Sequence, residues 1–154
     1  MDNGSDGTSE EVKETYPDVI LLKGDSNLYW AGSMRKVWQY ALCSSFHNDF
    51  FLLLNDDTTL TETALKDLLN DYKKLNKEAI LIGSTLDPQT GKISYGGYKI
   101  MNRYGSNIKR MVPNLQNPME FEVGNCNIMF VPNGVVKKIG ILSDLFTHGI
   151  ADYD

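Results

Sequence analysis

Over the first half of the chain, short unbroken apolar runs alternate with stretches whose apolar positions recur at helical spacing. Val19-Ile20-Leu21-Leu22 is too short for a helix and lies between Pro17 and a polar loop from Lys23 to Tyr29. Such a run predicts a strand buried on both faces, as in parallel sheets. From Gly32 to His47 the apolar residues Met34, Val37, Trp38, Ala41 and Leu42 predict a helix. Asp49 to Leu54 is the strongest strand signal. Beyond it, Leu60, Ala64, Leu65, Leu68 and Leu69 mark an amphipathic helix with Thr61 as its N-cap. Ala79 to Ile82 predicts a third strand. Strand, helix, strand, helix, strand implies a layered α/β domain with right-handed crossovers.

The flanking regions read differently. Ser9 stands before Glu10, Glu11, Val12 and Lys13, a short helix with acidic residues near its start that Pro17 stops. Asp87-Pro88-Gln89-Thr90-Gly91 has the composition of a hairpin turn, and Lys92 to Ile100 reads as extended. Residues 102–117 are polar and predict a mobile loop. Phe121 to Val123 predicts a short strand, and Pro132 to Ile139 a short helix with proline near its first turn.

Composition narrows the class. The 154 residues are 42% hydrophobic and 23% charged, enough apolar content for one globular domain with a real core. Fifteen Lys and Arg against twenty Asp and Glu leave a net charge of -5, which argues against a broad nucleic-acid footprint. The longest apolar run, Phe50 to Leu54, falls far short of the roughly 20 residues of a spanning helix. No basic and then apolar leader opens the sequence, so a cytoplasmic protein is expected. Cys43 and Cys126 are isolated and suit a reducing compartment.

Three polar clusters are candidates for chemistry. Asp56 and Asp57 directly follow the strongest strand, and in open α/β sheets ligands bind at the carboxyl ends of strands. Adjacent carboxylates suit a hard cation such as Mg²⁺ or Mn²⁺, although a solvated helix N-terminus explains them equally well. Asp2, Asn3 and Asp6 lie among Gly4 and Gly7. A calcium loop fails there because Gly4 and Lys13 occupy ligand positions, and a plain surface turn stays open. The segment His148 to Asp154 places Asp152 and Asp154 near a histidine, either as a general base or as a solvated chain end.

Taken in order, these clusters resemble family 2 glycosyltransferases of the GT-A fold, especially those that build bacterial polysaccharides. Asp2-Asn3-Gly4-Ser5-Asp6-Gly7-Thr8 is similar to the family's "VDNGSTDGT" segment, one residue shorter. Leu52-Leu53-Leu54-Asn55-Asp56-Asp57 resembles its DxD-type metal motif. Gly124-Asn125-Cys126 with Val136-Lys137-Lys138-Ile139-Gly140 resembles the acceptor-side segment, and His148 to Asp154 the "ED-x-D" base motif with Ala151 at an acidic position.

The resemblance implies a single domain over residues 1–154, with a mostly parallel central sheet flanked by helices. It would lack the family's usual first strand and C-terminal helix, and the exposed sheet edge would favour pairing between copies. It implies inverting transfer of a sugar from a nucleotide-sugar donor to a glycan or lipid-linked acceptor. Asp57 with Asp56 would ligate Mn²⁺ or Mg²⁺. Asp2, Asn3, Gly32, Arg35 and Asp56 would face the donor. Asp152 would be the base, supported by Asp154. Relatives often work at the inner face of the membrane. The competing readings are a non-catalytic fragment that binds or oligomerises, and a nucleotidyltransferase, whose Gly-rich basic loop is missing.

Overall fold

A computed structural model describes every residue except 5, 45–48, 77, 103, 105–106, 115, 148–150 and 154. Two compact units make up the chain. The first comprises Met1–Phe46, Ile141–Asp152 and Asp154, and the second His47–Gly140 with Tyr153.

In the first unit, helix α1 runs Thr8–Thr15 and buries Ser9. Its last turn closes when Tyr16 N donates to Val12 O, and Tyr16 then leaves helical geometry at φ -132°. Pro17 enforces that exit, because its ring disfavours the α conformation in the residue before it. A 3-10 turn, Ser26–Leu28, is capped by Asp25, whose carboxylate accepts from Asn27 N at 2.8 Å. Helix α2 follows at Tyr29–Cys43 and buries Ala31, Gly32 and Trp38. Residues 31 and 38 are seven apart, two helical turns, and so share a face.

The strand expected at Val19 to Leu22 does not form. Val19 and Ile20 are about half exposed, and one parallel bridge, Asp2 with Lys23, is all the pairing there among the described residues. Asp2 N donates to Leu22 O at 3.0 Å and Gly24 N to Asp2 O at 2.9 Å. A single bridge cannot bury two strand faces, so the apolar run stays half in water.

The second unit carries three small sheets. Strand β1 (Phe50–Leu54) leads into helix α3 (Ala64–Lys74), and that helix into β2 (Leu81–Ile82). Two hairpin strands follow, β3 (Thr85–Leu86) and β4 (Ile93–Tyr95). Then come β5 (Gly97–Asn102), β6 (Asn107–Arg110) and β7 (Val123–Gly124). Strand β8 (Ile128–Pro132) and helix α4 (Asn133–Ile139) complete it.

The β1–α3–β2 succession is the one the periodicity predicts, but the sheet is not built of parallel neighbours. Strand β8 lies between β1 and β2 and is antiparallel to both, with Leu52 opposite Phe130 and Leu81 also opposite Phe130. β1 and β2 thus share a direction without touching. The ladders of the other two sheets are antiparallel as well. Four residues of β8, Ile128 to Val131, fall in a stretch that the apolar periodicity leaves unassigned, and Pro132 is expected to open a helix, yet all five are buried. A strand flanked on both sides forms the core of its sheet, and Phe130 and Val131 are at most 2% exposed. Phe130 stacks on Phe50 with ring centroids 4.3 Å apart and meets Tyr72 of α3 at 5.1 Å. That aromatic trio fixes α3 against the sheet.

Two further expectations change. The stretch 102–117 is not wholly loop, since β6 pairs with β5 from Tyr98 opposite Arg110 to Asn102 opposite Asn107. Helix α3 begins later than expected: Thr63, not Thr61, precedes it, and no side chain caps it. The hairpin turn forms as expected. Asp87 Oδ1 accepts from Gln89 N and Thr90 N, and Gly91 takes the positive φ of 65° that the turn requires.

Candidate functional site

In the first unit, Asp2 is held by its own neighbours. Its Oδ2 accepts from the Ser9 hydroxyl in α1, and its Oδ1 accepts from Gly4 N at 2.8 Å. The Ser9 hydrogen bond first, and the Gly4 N–H second, keep the Asp2 carboxyl below the usual carboxylate range. Asp6 is lowered in the same way by Thr8, first through its hydroxyl and then through its backbone N–H, which Asp6 accepts at 3.1 Å. An open cleft of about 330 Å³ is lined by Asp2, Gly4, Gly7, Glu10 and Lys23. Its lining brings glycine backbone, two carboxylates and one ammonium within reach of a ligand.

Asn3, Gly32 and Arg35 do not line that cleft. Asn3 Nδ2 donates to Ser33 Oγ at 2.6 Å, and its Oδ1 is buried with no hydrogen-bond partner among the described residues. A Cβ at Gly24 would meet three side-chain ends, Asn3 Oδ1, Met1 Cε and Leu28 Cδ1, which would have to turn aside. Gly32 is buried within α2, and a Cβ there would lie 3.2 Å from the Leu28 side chain. Arg35 points at backbone. Its Nη1 donates to Ser143 O at 2.7 Å and Phe146 O at 2.9 Å, which fixes the segment that leads toward residues 148–154. His148 and Asp154 lie outside the described residues. Asp152 sits half-buried in the 3-10 turn Ala151–Tyr153.

In the second unit, the acidic doublet follows β1 directly. Asn55 N donates to Asn127 O at 3.0 Å, and Thr58 N to Asn55 O at 3.2 Å, closing a turn that contains Asp56 and Asp57. Both aspartates are exposed, and among the described residues neither has a hydrogen bond or an ion pair. Helix α3 begins only at Ala64. The helix dipole acts within about one turn of the terminus, so it does not account for carboxylates seven and eight residues upstream.

Among the described residues no three His, Cys, Asp or Glu side chains gather to cage a metal. Mg²⁺ and Mn²⁺ seldom need a cage; Mg²⁺ keeps several waters and is held by one or two carboxylates plus substrate phosphates. Asp56 and Asp57 are hard oxygen donors without a hydrogen bond or ion pair among the described residues, and they fit that mode and not a closed site.

The same unit holds a contact that sequence reasoning missed. Buried Asn125 donates from Nδ2 to Tyr153 Oη at 3.3 Å, and the Tyr98 ring lies 5.9 Å from the Tyr153 ring. Tyr153 stands between Asp152 and Asp154 in sequence, and an aromatic residue between two aspartates was the signal available for it.

The protein is therefore a chain of mixed α/β structure with two exposed acidic groups just past the carboxyl end of a strand. A family model described as glycosyl transferase family 2 matches residues 1–132, and the chain belongs to that family. Membership brings the GT-A nucleotide-sugar transferase fold and assigns the chain to glycosyl transfer in general, with a nucleotide-sugar donor and an acceptor as its general ligand classes. No curated protein and no solved structure matches the chain. Among the described residues, no helix is long and apolar enough to cross a membrane.

Proposed function

We propose that the two units form one transferase domain over residues 1–154, which moves a sugar with inversion from a nucleotide-sugar donor to a hydroxyl of a glycan or lipid-linked acceptor. The family match supports one domain, because residues 1–132 include parts of both units. The observation that carries the reading is the Asp56–Asp57 turn: two exposed carboxylates, unpaired among the described residues and without a helix terminus to serve.

In this reading Asp57 and Asp56 hold Mn²⁺ or Mg²⁺, which when bound supplies positive charge against a diphosphate. Asp2, with its carboxylate pinned by Ser9 and Gly4, presents an ionised acceptor to ribose or base hydrogen-bond donors. Asn3 positions the segment beside Asp2 through Ser33. Asp152 takes the proton of the acceptor hydroxyl as the oxygen–carbon bond forms at the anomeric centre and the bond to the diphosphate breaks. Asp154 supports Asp152. Holding donor and acceptor in line supplies much of the remaining rate. The cellular setting that suits this chemistry is polysaccharide or cell-surface glycan synthesis on the cytoplasmic side.

Thermal unfolding with Mn²⁺ and UDP, dTDP or GDP tests the carrying observation. At a ligand concentration of 100 Kd, binding stabilises by about 2.7 kcal/mol, and the melting temperature should rise by roughly 5–10 °C with one of the three nucleotides. Asp57→Ala, at an exposed site that folding does not use, should erase the rise. No shift with any nucleotide, or an undiminished shift in Asp57→Ala, would overturn the assignment of the doublet.

A further inference from the structure

The chain's charge is unevenly distributed. Residues 88–119 contain Lys92, Lys99, Arg103, Lys109 and Arg110 and no acidic residue, leaving ten basic side chains against all twenty acidic ones elsewhere. Much of this basic segment is the β5–β6 hairpin. Lys99 and Lys109 stand directly opposite each other across its ladder. Both are exposed, and neither has an ion pair among the described residues. Like charges facing each other across a ladder destabilise it, so this pair costs the fold something. The Glu122 carboxylate is nearby but accepts from Ile100 N at 2.8 Å, and Arg110 is engaged with Ile93 O.

The same segment exposes apolar side chains. Tyr104 at the hairpin's turn is fully exposed, Val112 is 75% exposed and Met101 58%. Exposed apolar groups among unpaired cations are the composition of a surface that meets a lipid headgroup layer, where cations find anionic lipid and apolar tips enter the acyl boundary. A tyrosine suits that boundary particularly well. A soluble polyanion would satisfy the lysines and leave Tyr104, Met101 and Val112 in water.

From this juxtaposition we propose that the β5–β6 hairpin, with the residues just after it, is a peripheral docking surface for an anionic bilayer, with Lys99 and Lys109 as its charge contacts and Tyr104, Met101 and Val112 as its apolar ones. It does not depend on the acidic doublet or on sugar transfer.

The experiment is co-sedimentation of the full chain with vesicles of phosphatidylcholine alone and of phosphatidylcholine mixed with phosphatidylglycerol. Binding should require phosphatidylglycerol and weaken as salt rises. Each lysine near an anionic surface contributes about fivefold to partitioning, so Lys99→Gln with Lys109→Gln should weaken it roughly 20- to 30-fold. Tyr104→Ser should weaken it too, and melting temperatures should show that the variants stay folded. Asp57→Ala should bind vesicles like the unmodified chain, so failure of the metal reading and failure of this one are separable. Absence of binding to the anionic vesicles, or binding untouched by the lysine pair, would overturn the proposal. So would displacement by soluble polyphosphate with Tyr104→Ser without effect, which would mark a polyanion site instead.

Discussion

Replacing Phe130 with alanine tests whether β8 organises the second unit. The side chain is 2% exposed, stacked on Phe50 at 4.3 Å and tilted against Tyr72 at 5.1 Å. Removing a buried phenylalanine ring costs about 3–5 kcal/mol through lost transfer energy and the cavity left behind. Phe50 is 38% exposed and sits on an edge strand, so it can settle partly into the gap. That relaxation places the expected loss near the lower end, about 3–4 kcal/mol. Against a total stability on the order of 5–15 kcal/mol, the loss is large but not fatal. Equilibrium urea unfolding followed by far-UV circular dichroism should show the midpoint fall by about 2 M at an ordinary slope. Trp30 and Trp38 both belong to the first unit, so their fluorescence reports that unit separately. Phe50→Ala should cost less than Phe130→Ala, and the double variant should reveal a coupling of about 0.5–1.5 kcal/mol between the rings. A loss below about 1.5 kcal/mol for Phe130→Ala, or equal losses for the two single variants, would refute the view that the sheet is built around β8.

Two further expectations concern the first unit. The Asp2 carboxyl is depressed by its Ser9 and Gly4 hydrogen bonds, so its contribution to stability is fully present above the unfolded value of about 3.9 and is lost as pH falls through the lower folded value. Ser9→Ala should move the Asp2 titration, followed by carboxyl NMR, upward toward the unperturbed value; an unchanged titration would show that the hydroxyl does not hold the group. Gly24→Ala places a methyl against the side-chain ends of Asn3, Met1 and Leu28; because these ends can turn aside, it should cost only about 1 kcal/mol, read as a slightly lowered melting temperature. An unaltered melting temperature would mean that the approach of residues 1–3 to Gly24 is looser than the structure has it.

The elements that were legible in the sequence are those whose signal is local. Pro17 stops α1, the Phe50–Leu54 run makes β1, and Asp87 with Gly91 makes the hairpin turn, each through chemistry carried within a few residues. What could not be read is pairing. Val19 to Leu22 has the same apolar signature as β1, but only one of the two finds a neighbouring strand. The insertion of β8 between β1 and β2 depends on contacts across about 75 residues of chain, which no periodicity encodes. At the site, the doublet after β1 was visible because strand and turn are contiguous. The roles of Arg35 and Tyr153 were not, since Arg35 reaches carbonyls more than 100 positions away and Tyr153 meets Asn125 from across the second unit.

The late position of β8 in the chain also governs how the protein is made. β1 leaves the ribosome roughly 75 residues before the strand that will cover it, and β2 roughly 45 before. At about 5–20 residues per second, Phe51 and Leu53 wait several seconds with no hydrogen-bonded neighbour, a row of open amides beside greasy side chains. That delay makes nascent chains, rather than finished ones, the population at risk of sticking together, and slowing translation between codons 54 and 128 should lower the soluble yield.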